Sequence, residues 1–191
     1  LVYQFEADKL PSLSKDNVMG IDLGVVKAAT IAFNHTQKRY YIDGDEVRAF
    51  RSRIEARRVA LQRQGKYCGN GRKGHGRKTR LKPIEKLRGK VENFKNTTNH
   101  RYAKYIVDIA IKHDCGVIQM EDLTGITKDA DKFLKSWTYY DLQKKIEQKA
   151  KVAGIEVRKI NPQYTSQRCS KCGCIGADNR KTQADFKCVT C

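Results

Sequence analysis

Nowhere in its 191 residues does the chain gather the roughly 18 consecutive apolar residues that a membrane-spanning helix needs. No signal-peptide pattern opens it, so a reducing compartment is expected. There is no internal repeat. Apolar residues are scarce, at 39% against 31% charged, yet too many for a disordered tail. Acids are scarcest of all in one stretch. Between Arg48 and Lys90 only Glu55 and Glu85 stand against 16 Lys or Arg. Those 43 residues carry +14 of the net +18, leaving +4 for the other 148. This pattern excludes a uniformly basic protein and describes a local basic element on an ordinary domain. A polyanion is the expected partner, nucleic acid first and an anionic membrane surface second.

The basic element has its own pattern. Val47, Phe50, Ile54 and Leu61 recur at helical spacing, which predicts an amphipathic helix from Asp45 to about Gln64. Arg51, Arg57 and Arg58 then lie on its other faces. Gln64 to Lys82 is rich in Gly, Lys and Arg and holds no acid, so a flexible loop is expected. Arg72, Lys73, Arg77, Lys78 and Arg80 are its candidate phosphate contacts, because Gly lets backbone approach and the cations supply charge. The alternative is a solvated linker.

Elsewhere the pattern alternates. Leu1–Asp8 reads as the last strand of something upstream, and Lys9–Asp16 as a linker. Val18–Gly24, Ala28–Phe33 and Arg39–Ile42 read as three hairpin-linked strands. Pro83 sits where a helix would start, and an apolar stripe from Ile84 to Ile109 carries that helix to about Lys112, with a kink expected near Asn96–Asn99. Gly116–Met120 reads as a strand, Trp137–Ala153 as a helix and Gly154–Ile160 as a further strand. Three strands followed by alternating helices and strands predict an α/β fold with a mixed sheet and flanking helices.

Two features carry chemistry. Asp22 lies between Ile21 and Leu23, and Glu121 ends the apolar run of Gly116–Met120. Carboxylates placed in sheets are costly unless paired or bound to metal, and two on strand ends could converge to hold divalent cations. Equally, Asp22 could open a turn at Gly24 and Glu121-Asp122 could cap a helix. The second feature is Cys169-x2-Cys172 followed by Cys188-x2-Cys191, the spacing of a zinc ribbon whose four thiolates leave no open position, so that the metal is structural. Disulfides are the lesser alternative. Cys174 is a rival ligand in a shifted register; Cys68 and Cys115 are expected to be free, and the four histidines receive no role.

Gly20-Ile21-Asp22-Leu23-Gly24, Gln119-Met120-Glu121-Asp122-Leu123 and Gln163-Tyr164-Thr165-Ser166-Gln167-Arg168-Cys169-Ser170-Lys171-Cys172-Gly173 occur in that order. Together they resemble the nuclease half of TnpB proteins and, more closely, the compact type V CRISPR effectors of subtype V-F. The resemblance runs from about Val18 to Cys191. It implies an RNase H-like (RuvC) mixed sheet plus a small zinc-ribbon module. In this division residues 1–16 end an upstream wedge-type domain, 17–166 form the nuclease domain with a basic insertion at 45–82, and 167–191 form the ribbon. It further implies an RNA-guided DNA endonuclease of the prokaryotic cytoplasm that uses two Mg²⁺ ions and one structural Zn²⁺. Asp22 and Glu121 would be its catalytic carboxylates, and Arg180 would lie near the scissile phosphate. Guide RNA and target DNA are the implied partners, and some compact relatives act as two copies on one RNA. The family's third catalytic Asp follows the last zinc cysteine by about ten residues, so these 191 residues alone are expected to cut poorly. The rivals are a transposase-associated protein and a non-catalytic nucleic-acid-binding module.

Overall fold

The computed structural model describes residues 12–24, 26–66, 77–123, 139–182 and 185–191. Strands β1 (Ser14–Asp22), β2 (Lys27–Phe33) and β3 (Arg39–Asp43) lead into helices α1 (Asp45–Lys66) and α2 (Arg77–Lys112). Strand β4 (Cys115–Glu121), helix α3 (Tyr139–Val152) and strand β5 (Glu156–Ile160) complete the sheet. Its order is β3-β2-β1-β4-β5. Strands β1, β2 and β3 pair antiparallel with one another in turn, whereas β4 runs parallel to β1 and β5 parallel to β4.

One face of the sheet makes the core. In β1 the inward residues are Met19 and Ile21, and the parallel register sets them beside Ile118 and Met120 of β4. Ala103 and Ile106 of α2 and Leu142 and Ile146 of α3 close over the same cluster. A buried polar contact joins the two helices. Asn99 on α2 donates from Nδ2 to Asp141 Oδ2 at 2.7 Å, and Lys145 one turn on bonds Asp141 Oδ1 at 2.6 Å. Burial pushes the Asp141 carboxyl up, but the donors Lys145 and Asn99 outweigh it and hold it below its usual range.

Several boundaries differ from expectation for local reasons. Strand β1 begins at Ser14, inside the stretch read as linker. Its polar start is held by Asp114, whose Oδ1 accepts from the Ser14 amide at 3.2 Å and whose carbonyl accepts from Asn17 at 3.0 Å. Gly116 lets this end close up, since a Cβ there would lie 2.7 Å from the Ser14 carbonyl oxygen. Helix α2 does not start at Pro83 but at Arg77, with the proline inside it. At that point the helix forgoes one hydrogen bond, because proline has no amide proton to give. The helix runs unbroken through Asn96–Asn99, where Thr98 and Asn99 are buried and Asn99 reaches across to α3. The expected strand Leu1–Asp8, the loop residues Arg72, Lys73, Cys68 and His75, and the predicted helix start at Trp137 lie outside the described residues.

Candidate carboxylate edge and cysteine cluster

The register decides where the carboxylates stand. Ile21 of β1 pairs with Met120 of β4, so the next positions on these adjacent parallel strands are Asp22 and Glu121. Side chains alternate along strands, so both acids leave the face opposite Ile21 and Met120. Asp22 is the last residue of β1 and Glu121 the last of β4, so one edge of the sheet brings the two together. The burial expected from their apolar neighbours is not observed. Asp22 is exposed and Glu121 half-buried, because each strand stops at its acid and opens it to water. Desolvation therefore is not what makes this pair notable; adjacency is.

Glu121 is also firmly held. The Gln143 side chain on α3 donates to its carbonyl at 2.5 Å, the amide of Asp122 bonds the Ile160 carbonyl at 2.8 Å, and the Thr165 hydroxyl donates to its Oε1. Neither Gln143 nor Thr165 was singled out from the sequence. Thr165 lies within a motif of the family resemblance, which was the one signal that could have pointed to it. No carboxylate completes a group of three or more possible ligands at this edge among the described residues.

The ribbon is built quite differently. The thiols of Cys169, Cys172, Cys188 and Cys191 all lie within 4.8 Å of one another. Sγ of Cys169 is 3.6 Å from that of Cys191, and Cys172 is 3.5 Å from Cys188. Each CxxC turn aims amides at its first sulfur: Lys171 N lies 3.4 Å from Cys169 Sγ, and Thr190 N and Cys191 N lie 3.4 Å from Cys188 Sγ. Amides of Cys172 and Lys171 pull the Cys169 thiol down to about 6, while the neighbouring sulfurs, Cys169 foremost, push Cys191 up to about 12. Four thiolates so close cannot all ionise without a cation among them, so the donor set fits a tetrahedral soft metal such as zinc. Cys174 stands outside the group, accepting from the Thr190 hydroxyl at 3.1 Å. This settles the register in favour of Cys172. Cys115 is a buried free thiol whose ionisation burial pushes up to about 11.

Asn179 does the work of a core here. It is 1% exposed; its Nδ2 reaches the carbonyls of Gln167 and Cys174 at 2.9 and 3.2 Å, and its Oδ1 accepts from Val189 N at 2.9 Å. Arg180 follows it, exposed, its amide bonded to the Ala177 carbonyl.

The basic element is a helical hairpin. Glu46 bonds Arg101 and Tyr102, and Phe50 stacks on Phe94 with centroids 3.8 Å apart, so α1 and α2 run antiparallel. Burial raises the Glu46 carboxyl, but Arg101 and Tyr102 outweigh it and lower it on balance. Arg57 and Arg58 are exposed further along α1, Arg58 beside Glu55 at 3.6 Å, whereas Arg51 is half-buried. Arg77, Lys78 and Arg80 belong to the first turn of α2, at the hairpin's outer end, rather than to a loop.

Comparison with known proteins adds a family. Residues 139–191 match the model of the Cas12f1-like TNB domain. A CRISPR-associated endodeoxyribonuclease Cas12f1 of Sulfoacidibacillus thermotolerans is 57% identical over 189 residues, covering 99% of this chain and 44% of its own length. Among solved structures, a CRISPR-Cas12f ternary complex superposes with a TM-score of 0.73 at 36% identity, over 88% of this chain and 33% of that one. A Cas12f1–sgRNA–target DNA complex gives 0.68 at 32%, over 85% and 40%. The chain thus spans less than half the length of these relatives. Among the described residues no helix is long and apolar enough to cross a membrane.

Proposed function

Since this chain belongs to the family of compact type V CRISPR effectors and TnpB proteins, we propose that it is the nuclease portion of an RNA-guided DNA endonuclease. The observation that carries the reading is the pairing of Asp22 and Glu121 on the ends of adjacent, in-register parallel strands. The sheet order, with three antiparallel strands and two parallel ones, supports an RNase H-like assignment. So does the likeness to solved Cas12f complexes.

In this reading Asp22 and Glu121 offer hard carboxylate oxygens to two Mg²⁺ ions. Magnesium bound there would activate a water and stabilise the leaving oxygen. Thr165 and Gln143 keep Glu121 oriented, and the ends of both strands leave the carboxylates open to a phosphate from solvent. The four cysteines hold zinc and thereby shape the ribbon, which presents Arg180 to the substrate backbone. The α1–α2 hairpin, with Arg57 and Arg58 and the first turn of α2, binds the guide–target duplex by its backbone while base pairing reads the sequence. Whether two copies share one RNA is read directly from the mass of the assembled particle.

The test uses the protein expressed from its complete reading frame, with guide RNA. Asp22→Ala should lower Mg²⁺-dependent cleavage of target DNA by at least about a thousandfold while target binding stays intact, the scale of losing a group that acts at the reacting atoms. Undiminished cleavage in that variant sinks the assignment. A non-catalytic binding module would show no Mn²⁺ binding that depends on Asp22 or Glu121.

A further inference from the structure

Glu121 is held from two sides, and one of them leads directly into the ribbon. Its carbonyl accepts from Gln143, a side chain with 1% exposure on α3. Its carboxylate oxygen Oε1 accepts from the Thr165 hydroxyl at 2.5 Å. Thr165 is four positions before Cys169, in a turn made possible by Tyr164, whose φ of 64° lies in the left-handed region. The Tyr164 carbonyl accepts the amides of Gln167 and Arg168, both at 3.0 Å. That turn is tied to the cysteine cluster in its turn. The Gln167 carbonyl accepts from Asn179 Nδ2, while Asn179 accepts amides of Lys187 and Val189, the two residues flanking Cys188. An unbroken run of hydrogen bonds and backbone therefore leads from Cys188 through Asn179 and Thr165 to the Glu121 carboxylate.

The chemistry at Thr165 is selective. Its single hydroxyl proton has two acceptors in reach, Glu121 Oε1 and the Pro162 carbonyl at 3.0 Å. The ionised carboxylate is the stronger acceptor, so the proton goes there. Thr165 is exposed, so the bond competes with water and adds little stability. Its consequence is orientation: a donor on one oxygen fixes the plane of a carboxyl group that a strand end would otherwise leave free to rotate, and aims the other oxygen.

We propose that Thr165 is a positioning residue for Glu121, and that through it the ordering of the ribbon sets the divalent-cation affinity of the sheet edge. The proposal rests on the reading of Glu121 as a metal-holding carboxylate. Outer-sphere partners of metal ligands typically change metal affinity by about 10–100-fold. The test is calorimetric titration of Mn²⁺ into the protein expressed from its complete reading frame, without nucleic acid. Thr165→Val should weaken Mn²⁺ binding about tenfold, and Thr165→Ser should restore it to within about threefold, with zinc content and melting temperature of both unchanged. In a Cys188→Ser background, where the ribbon's ligand set is broken, Thr165→Val should have no further effect. Wild-type Mn²⁺ affinity in Thr165→Val overturns the positioning role. A tenfold loss that persists in full in the Cys188→Ser background overturns the link to the ribbon. Glu121→Ala controls the premise: if it binds Mn²⁺ as the wild type does, the metal-holding role of Glu121 falls and the proposal with it, whereas loss in Glu121→Ala beside no loss in Thr165→Val refutes the proposal alone.

Discussion

The sheet and the ribbon hold their shape by opposite means. The sheet buries Met19, Ile21, Ile31, Ile106, Ile118, Met120, Leu142 and Ile146 in one continuous cluster held by close side-chain packing. In the ribbon, among the described residues, only Cys169 and Asn179 are buried, while Ile175, Phe186 and Val189 face water. Some 25 residues with no apolar core cannot offset the entropy of ordering themselves, so the ribbon must take its stability from its ligand set. The two candidate metal sites differ accordingly. The cysteine cluster makes a fold, whereas the carboxylate edge is made by one, which is why its acids can stand open to solvent.

The sharpest way to break this comparison is to break the ribbon's four-cysteine cluster. Structural zinc contributes on the order of 10 kcal/mol to small domains of this kind, so Cys188→Ser should unfold the ribbon outright. Limited trypsin digestion should then cut after Lys171, Lys181 and Lys187, while the sheet's cooperative melting transition remains. A single shared loss of both transitions would show that the two regions are one folding unit. The complementary change attacks the sheet. At Gly116 a methyl group would meet Ser14 backbone atoms at 2.7 and 2.9 Å, and backbone cannot swing aside as a side chain can. Gly116→Ala should therefore cost about 2 kcal/mol, seen as a lower melting temperature of the sheet with zinc content unaltered. A third change tests the exposed arginines of the hairpin, which lie outside both regions. Arg57→Gln with Arg58→Gln should reduce the slope of log affinity against log salt by about 1–2 for nucleic acid, with no loss of thermal stability. An unchanged slope would remove these two arginines from the interface.

What could be read in advance follows the same division. The strands of the sheet announce themselves by alternation, because one face is buried, and Lys27–Phe33 and Cys115–Glu121 fall within a residue of where Ala28–Phe33 and Gly116–Met120 were predicted. The ribbon announces itself by cysteine spacing, because covalent ligand geometry leaves few alternatives. Adjacency of Asp22 and Glu121 depends on a register between strands almost 100 residues apart, and a single sequence holds no direct record of that. Their exposure was misjudged for a related reason: Ile21 and Leu23 suggest burial, but burial at a strand's last residue is decided by where the chain leaves the sheet. Polar starts mislead in the same way. Ser14–Asp16 looks like linker until Asp114, brought up by the end of α2, supplies hydrogen bonds to Ser14 and to Asn17 beyond it. Asn179 carries no local signal and Thr165 only its place in a family motif, since what makes each of them matter is a partner elsewhere in the chain.

The smallest expected effect tests whether the helical layer over the sheet relies on packing alone. Asp141 is a carboxylate at the contact of α2 and α3, bonded by Lys145 at 2.6 Å and by the buried Asn99 at 2.7 Å. Its ionisation is shifted down in the folded chain from an ordinary value of 3.8. A group whose folded value is depressed stabilises the fold above its unfolded value, and that contribution is lost as pH falls through the folded one. Asp141→Asn keeps the shape and can keep the Asn99 contact, but it removes the charge that Lys145 sees. Lys145 is itself largely buried, so the pair is better screened from water than a surface bridge and its loss should cost on the order of 1 kcal/mol at pH 7. The melting-temperature gap between wild type and Asp141→Asn should therefore be constant from pH 7 down to about 5 and narrow as pH falls below the ordinary value of 3.8, as the wild-type carboxyl takes up its proton. A gap that is unchanged at pH 3 would mean that shape and not charge joins α3 to α2, making the helical layer as indifferent to electrostatics as the apolar core beneath it.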